Sequence, residues 1–251
     1  MRVLSLARDL KRRKARTREG LFVVEGIRNI EELLQSPLDV VGVLAAPKLT
    51  DSSRGAALIE FAKSQGRTIA EVDEKEFRSA AETDSPQGVL AVARVPARSL
   101  DALVALSPLR ILVLDAVQDP GNVGTLLRTA AALGAHATVA LPGTVDVWNA
   151  KVVRSAMGAH FHHTALHTTW SELTAFLDRA DVPLWAADAG GDAVPASAPA
   201  RLALAVGNEG SGLSPQVRTA AARVVGLSIA PGTESLNVAV AAGILLYELR
   251  P

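Results

Sequence analysis

The strongest constraint on this chain is a pattern that occurs three times in its C-terminal half: an apolar run of strand length set against a turn rich in Gly, Asn, Glu or Ser. The segments are LDAVQDPGNVGTLLRTAAALGA (114–135), LAVGNEGSGLS (204–214) and LSIAPGTESLNVAVAAGILLYEL (227–249), and the first and third turns open straight into a helix. Continuous apolar strands alternating with helices imply a parallel sheet covered on both faces. Open α/β sheets place their ligands at the ends of such strands. Connectivity needs one or two turns of this kind. Three of them, carrying Asn122, Arg128, Glu209, Ser235 and Asn237, suggest one site assembled from distant stretches.

The same patterning organises the rest of the chain. Strands are expected at 21–26, 40–47, 67–72 and 88–95, with helices at 27–35 and 52–65, the latter ended by Gly66. Residues 1–96 therefore read as a small α/β unit, with Phe22, Phe61 and Phe77 in its core. The stretch PARSLDALVALSPLR carries two prolines and marks a linker at 97–109. A second domain, 110–251, starts with the strand RILVLDAV and continues with helices at 123–133, 148–157, 170–180, 215–221 and 237–249. Its further strands are ATVALP, PLWAAD, RLALAVG and ARVVGLSI.

Half of the 251 residues are apolar, enough for a sizeable core, and no run of uncharged apolar residues is long enough for a membrane span. There is no cysteine, which rules out disulfides, thiolate metal sites and a Cys nucleophile. A soluble cytoplasmic protein is expected. The net charge of zero hides an asymmetry. Residues 1–18 hold eight basic side chains, among them Arg12, Arg13, Lys14, Arg16 and Arg18, against one acid, Asp9. A basic segment on an otherwise acidic body attracts a polyanion locally; the alternative is a solvated helix.

Each turn has its own chemistry. In the first, Pro120 and Gly121 bend the chain, Asn122 is expected to cap a helix starting at Val123, and Gly134 ends that helix. Helical side chains lean toward the N-terminus, so the guanidinium of Arg128 is expected to reach the mouth near Asn122. In the second, three glycines within 207–212 expose backbone polar groups to a flat or extended ligand, and Glu209 can accept from hydroxyl or amine groups. In the third, Ser235 and Asn237 stand at a helix N-terminus, where they serve either as caps or as anion contacts. The spacing Gly121-x-x-Gly124 lacks the G-x-G-x-x-G of a dinucleotide site. His160, His162, His163 and His167 lie outside any helical metal pattern and have no acid nearby. They read as structural or surface residues, and no metal is expected. Lys151 and Arg154 are expected to face an anion.

At this point the residues resemble a known family. N-x-G-x-x-x-R (Asn122, Gly124, Arg128), G-N-E-x-x-G-L (207–213) and S-L-N-V-x-V-A-A-G (235–243) look like the three motifs of the SpoU/TrmH family, RNA ribose 2′-O-methyltransferases of the SPOUT class. Residues 1–95 resemble, less strongly, the small ribosomal-protein-like domain with which many of these enzymes bind substrate. The resemblance implies a parallel-sheet domain with a deep trefoil knot, a fold feature no pattern would suggest. It further implies S-adenosylmethionine at Gly207, Leu227, Ile229 and Leu236, and a homodimer built partly from the last helix. Arg128 would be the principal catalytic residue, with Asn122, Glu209, Ser235 and Asn237 positioning it, the cofactor and the RNA phosphate. Arg28, Lys151, Arg154 and the N-terminal basic residues would meet the RNA, ribosomal more than transfer RNA. The family usually shows Ile-Pro-Met where this chain has Leu227-Ser228-Ile229. Two rivals remain at this stage: an RNA-binding or ribosome-assembly protein without catalysis on the same fold, and a small-molecule enzyme.

Overall fold

The structure, a computed structural model, describes residues 2–250. It divides into two compact units, one formed by the chain up to Ala97 together with Trp148–His162, the other by Arg98–Val147 and the chain from His163 on.

In the first unit the basic segment folds into α1 (Arg2–Asp9) and α2 (Arg13–Glu19), the latter ended by Gly20 in a left-handed conformation (φ 62°). Then come β1 (Leu21–Glu25), α3 (Ile27–Gln35), β2 (Val40–Ala45), α4 (Ser53–Ser64), β3 (Ile69–Glu71), α5 (Glu74–Ala80) and β4 (Val89–Arg94). The sheet order is β1-β4-β2-β3, with β4 antiparallel to both neighbours and β2 parallel to β3. Leu4, Ala7 and Leu10 insert into the same core as Val23, Leu44, Phe77 and Leu90, so the N-terminal helix is a packed element with a charged outer face. Phe22 and Phe77 are fully buried, as expected. Phe61 is not: it lies on the outer face of α4, 36% exposed, since the inner face is taken by Gly55, Leu58 and Ala62.

The second unit opens with a 3-10 turn at Leu100–Leu103, whose two leucines join its core. It continues with β5 (Leu109–Leu114), α6 (Pro120–Ala132) and β6 (Ala137–Ala140). The next segment, with α7 (Ala150–Ser155) and α8 (Ala159–His162), belongs to the first unit. There Trp148 packs on Phe22, with 4.6 Å between ring centroids. The second unit resumes with β7 (Thr164–His167), α9 (Trp170–Arg179), β8 (Leu184–Ala193), β9 (Arg201–Val206), α10 (Pro215–Ala220), β10 (Arg223–Gly226) and α11 (Val238–Glu248).

All six strands of this unit are parallel, in the order β10-β8-β9-β5-β6-β7. From β5 the chain steps outward through β6 and β7, then returns to the other side of β5. The order therefore reverses between β5 and β9, and a crevice is expected at their C-terminal ends. The core is aliphatic, with Ile111, Val113, Val139, Leu173, Phe176, Ala203 and Ala205 among its buried members. Among the described residues no helix is long and apolar enough to cross a membrane.

Candidate functional site

The first turn leaves β5 and the second leaves β9, its direct neighbour. Backbone and side-chain bonds tie them. Asp115 N–H donates to Val206 O (2.9 Å), Asn208 Nδ2 to Ala116 O (2.9 Å), and Ser214 N–H to Asp115 Oδ2 (2.6 Å). Ala116 adopts a left-handed conformation (φ 57°), a strained choice for a residue with a Cβ. Asn208 Oδ1 accepts from the N–H groups of Gly210 and Ser211, both at 2.9 Å, and so folds the second turn on itself. A Cβ on Gly207 would stand 2.3 Å from Gly212 C, so only glycine allows that closure.

Helix α6 begins earlier than its sequence suggests. Asp119 is the N-cap, accepting from Asn122 N–H at 2.8 Å, and Pro120 holds the first helical position. Asn122 is therefore not the cap, and its side chain is free for other work. Its Nδ2 donates to Glu209 Oε1 (3.1 Å), and its Oδ1 accepts from Asn237 Nδ2 (3.0 Å). One amide thus connects all three turns. Glu209 also accepts from Gln118 N–H (3.1 Å) and Asp119 N–H (3.0 Å). Burial pushes its carboxyl up, but the bonds from Asn122, Gln118, Asp119 and its own N–H outweigh that and hold it below the usual carboxylate range. Glu209 is thus an ionised clamp over the entry to α6. Asn237 caps α11, its Oδ1 accepting from Ala239 N–H (2.9 Å) and Val240 N–H (3.3 Å).

These groups border a cavity of about 420 Å³. Its lining includes Gly207, Glu209, Leu227, Ile229, Ser235, Leu236 and Asn237, so seven of the nine expected catalytic and cofactor positions share one space. Asn122 joins it through its two side-chain bonds. Arg128 does not line it. It is exposed on α6 and borders a separate shallow hollow with Thr129, Gly243 and Tyr247. Six residues beyond Asn122, it sits about 9 Å further along the helix. The cavity also holds residues that were not expected there, Ala187, Asp188 and Ala189. They lie where β8 bulges away from β10, between partners Ala186 and Asp192. An acid closing the run PLWAAD (183–188), two residues before Gly190-Gly191, was the readable signal. Asp188 forms an ion pair with Arg218.

Every basic residue expected to meet RNA lies in the first unit. Arg13, Lys14, Arg28 and Lys151 are exposed; Arg12 pairs with Asp9 (2.7 Å) and Arg18 with Glu19 (2.7 Å). Arg16 departs from its expected role. It is 6% exposed, and its Nη1 donates to Leu10 O (2.7 Å) and Lys11 O (2.9 Å), which ties down the bend between α1 and α2. Two of the four histidines bond to partners within the second unit. His163, buried, bonds Thr138 Oγ1 at 2.8 Å, and burial, with the nearby Arg98 and His136 charges, lowers its pKa to about 4. His167 Nε2 accepts from Val147 N–H (3.1 Å).

Comparison with known proteins now decides the family. Residues 109–247, the span holding all three turns, match the model of the SpoU rRNA Methylase family. The chain belongs to that family. Residues 4–91 match the MRM3-like substrate binding domain. One relative is the 23S rRNA (guanosine(2553)-2′-O)-methyltransferase RlmP of Bacillus subtilis, 34% identical over 97% of this chain and 94% of its own. Among solved structures, the SpoU methyltransferase AviRb from Streptomyces viridochromogenes in complex with AdoMet superposes with a TM-score of 0.87 at 29% identity, over 98% of this chain and 95% of that one. An AdoMet-bound rRNA methyltransferase from Sinorhizobium meliloti gives 0.82 at 26% identity, over 98% and 92%.

Proposed function

We infer that this chain methylates ribose 2′-hydroxyls of ribosomal RNA, with S-adenosylmethionine as methyl donor. The observation that carries the reading is the Glu209–Asn122–Asn237 chain of hydrogen bonds at the rim of one cavity, in a member of a methyltransferase family. The cavity suits the donor. Leu227, Ile229, Leu236 and Leu245 offer apolar walls to a flat heterocycle, and the Gly207–Gly212 backbone leaves polar groups accessible. The carboxylates of Glu209 and Asp188 oppose a ligand that carries a sulfonium and an ammonium. When bound, S-adenosylmethionine supplies an electrophilic methyl carbon on positively charged sulfur.

The chain's own part is alignment and charge. Glu209 and Asn237 fix Asn122 from both sides. Ser235, at the entry to α11, is placed to contact an RNA oxygen. The Arg128 guanidinium offers N–H donors in a planar fork and no acceptor, so a phosphate clamp or stabilisation of a developing alkoxide is the role it can fill. Its exposed position on α6 lies beside Ile244 and Tyr247, which with Val240 form the apolar outer face of α11, 40–52% exposed. We propose that a second copy covers this face, a homodimer that would bring Arg128 into an interface. We also propose the deep knot. Membership of the SpoU family supports it. We further propose that the chain serves ribosome assembly in the cytoplasm. Mapping ribose methylation in ribosomal RNA from cells with and without the gene tests the reading: one site should lose its methyl group, and identical maps would refute it.

A further inference from the structure

The first unit holds a second cavity, of about 330 Å³, bordered by Glu25, Arg28, Asn29, Thr83, Gln87 and Arg154. Arg154 comes from the segment that returns to this unit after β6, so two distant stretches build the space. Asn29 is 5% exposed. Its Nδ2 donates to Glu25 O (3.2 Å), and its Oδ1 has no hydrogen-bond partner among the described residues. Arg154 Nη1, also buried, has none either. An unmatched buried polar atom costs on the order of 1–3 kcal/mol, and here one acceptor and one donor belong to residues that border the same cavity. Their neighbours are engaged: Glu25 accepts from Glu82 N–H (3.0 Å) and Thr83 Oγ1, and Gln87 Oε1 accepts from Ile27 N–H (2.9 Å).

We propose that this cavity receives an unpaired nucleobase of the RNA substrate, a proposal that rests on the reading of the chain as an RNA enzyme. A base edge carries N–H donors beside ring or carbonyl acceptors, which is what Asn29 Oδ1 and Arg154 Nη1 lack. A bare phosphate fits worse. It would satisfy Arg154, offer nothing to Asn29 Oδ1, and lie against the Glu25 carboxylate. The exposed Arg28 at the rim is placed to meet the backbone phosphate of the same nucleotide. Single-stranded bases splayed from loops are the parts of RNA that proteins read by hydrogen bonds.

The test uses the full chain and fluorescence anisotropy with two probes: an unpaired RNA 12-mer, and the same ribose–phosphate chain without bases. Asn29→Leu removes the acceptor. Arg154→Lys keeps the charge and loses the forked donor. Each variant should bind the base-bearing RNA about tenfold more weakly and the abasic chain within twofold of the original, with unchanged affinity for S-adenosylmethionine by calorimetry. Equal losses on both probes would mean a generic charged surface, and no loss would mean no base contact; either overturns the pocket. Arg154→Lys at a half-buried position keeps the test open if Asn29→Leu fails to fold. Variants that bind and methylate RNA like the original would remove this pocket alone. A parent chain that binds neither probe would remove the RNA reading with it.

Discussion

Replacing Glu209 by Gln changes one oxygen into an NH2 group, and the structure sets its cost. Oε1 accepts from Asp119 N–H and Asn122 Nδ2, and Oε2 from Gln118 N–H. A glutamine keeping the first two bonds turns its NH2 toward Gln118 N–H, donor against donor. One hydrogen bond to a charged group is lost, worth about 1.5–3 kcal/mol when buried. Glu209 is exposed, so about 1 kcal/mol is the expected loss. In a domain of this size that lowers Tm by about 2–4 °C. Methyl transfer should fall further, by at least tenfold, because the same contacts orient Asn122 and through it Asn237. The pH sign follows from a carboxyl held below its ordinary value. Its contribution is complete above the ordinary carboxylate range and disappears as pH falls through the lowered folded value, so original and variant should converge in acid. Thermal unfolding between pH 3 and 8, with transfer at pH 7.5, reads both effects. Identical Tm and undiminished transfer would refute the clamp.

Gly207→Ala would place a methyl group 2.3 Å from Gly212 C and 2.4 Å from Leu213 N. The second turn must open, and S-adenosylmethionine affinity should drop at least tenfold by calorimetry; unchanged affinity would separate that turn from the cavity. Arg128→Ala should lower methyl transfer about a hundredfold or more with cofactor affinity intact, because Arg128 lies off the cavity wall; retained turnover would remove it from the chemistry. His163, with its pKa lowered from 6.5 to about 4, lends stability that is complete above about pH 6.5 and is lost as pH falls toward 4, up to about 3 kcal/mol. His163→Gln should therefore flatten the stability profile between pH 4 and 6.5, and an unaltered slope would show that this histidine is not buried neutral.

The parts of this molecule written in local chemistry were legible. Continuous apolar runs gave the parallel strands, Gly66 and Gly134 gave helix ends, and the second and third polar turns gave much of the lining of one cavity. What was lost depended on tertiary partners. Asn122 reads as a cap because Asn caps helices, yet Asp119, three residues earlier, takes that place and turns Asn122 into the link between turns. Arg16 reads as one more positive charge, and only packing shows it spent on two backbone carbonyls. The strand at 164–167 is hidden by its histidines, since His163 and His167 are satisfied by Thr138 in β6 and Val147 in the turn after it. Asp188 follows from a bulge in β8, and register is a property of two strands. The segment 148–162 joins the first unit through Trp148 on Phe22, a contact of high sequence separation that no window could display.

The most direct test of the central claim is methyl transfer itself. The purified chain, S-adenosylmethionine labelled in its methyl group, and unmethylated ribosomal RNA are combined, and the product RNA is hydrolysed with alkali. A methylated 2′-hydroxyl cannot attack its neighbouring phosphate, so the label should remain in an alkali-resistant dinucleotide. No incorporation, or label released in single nucleotides with methylated bases, would contradict the account.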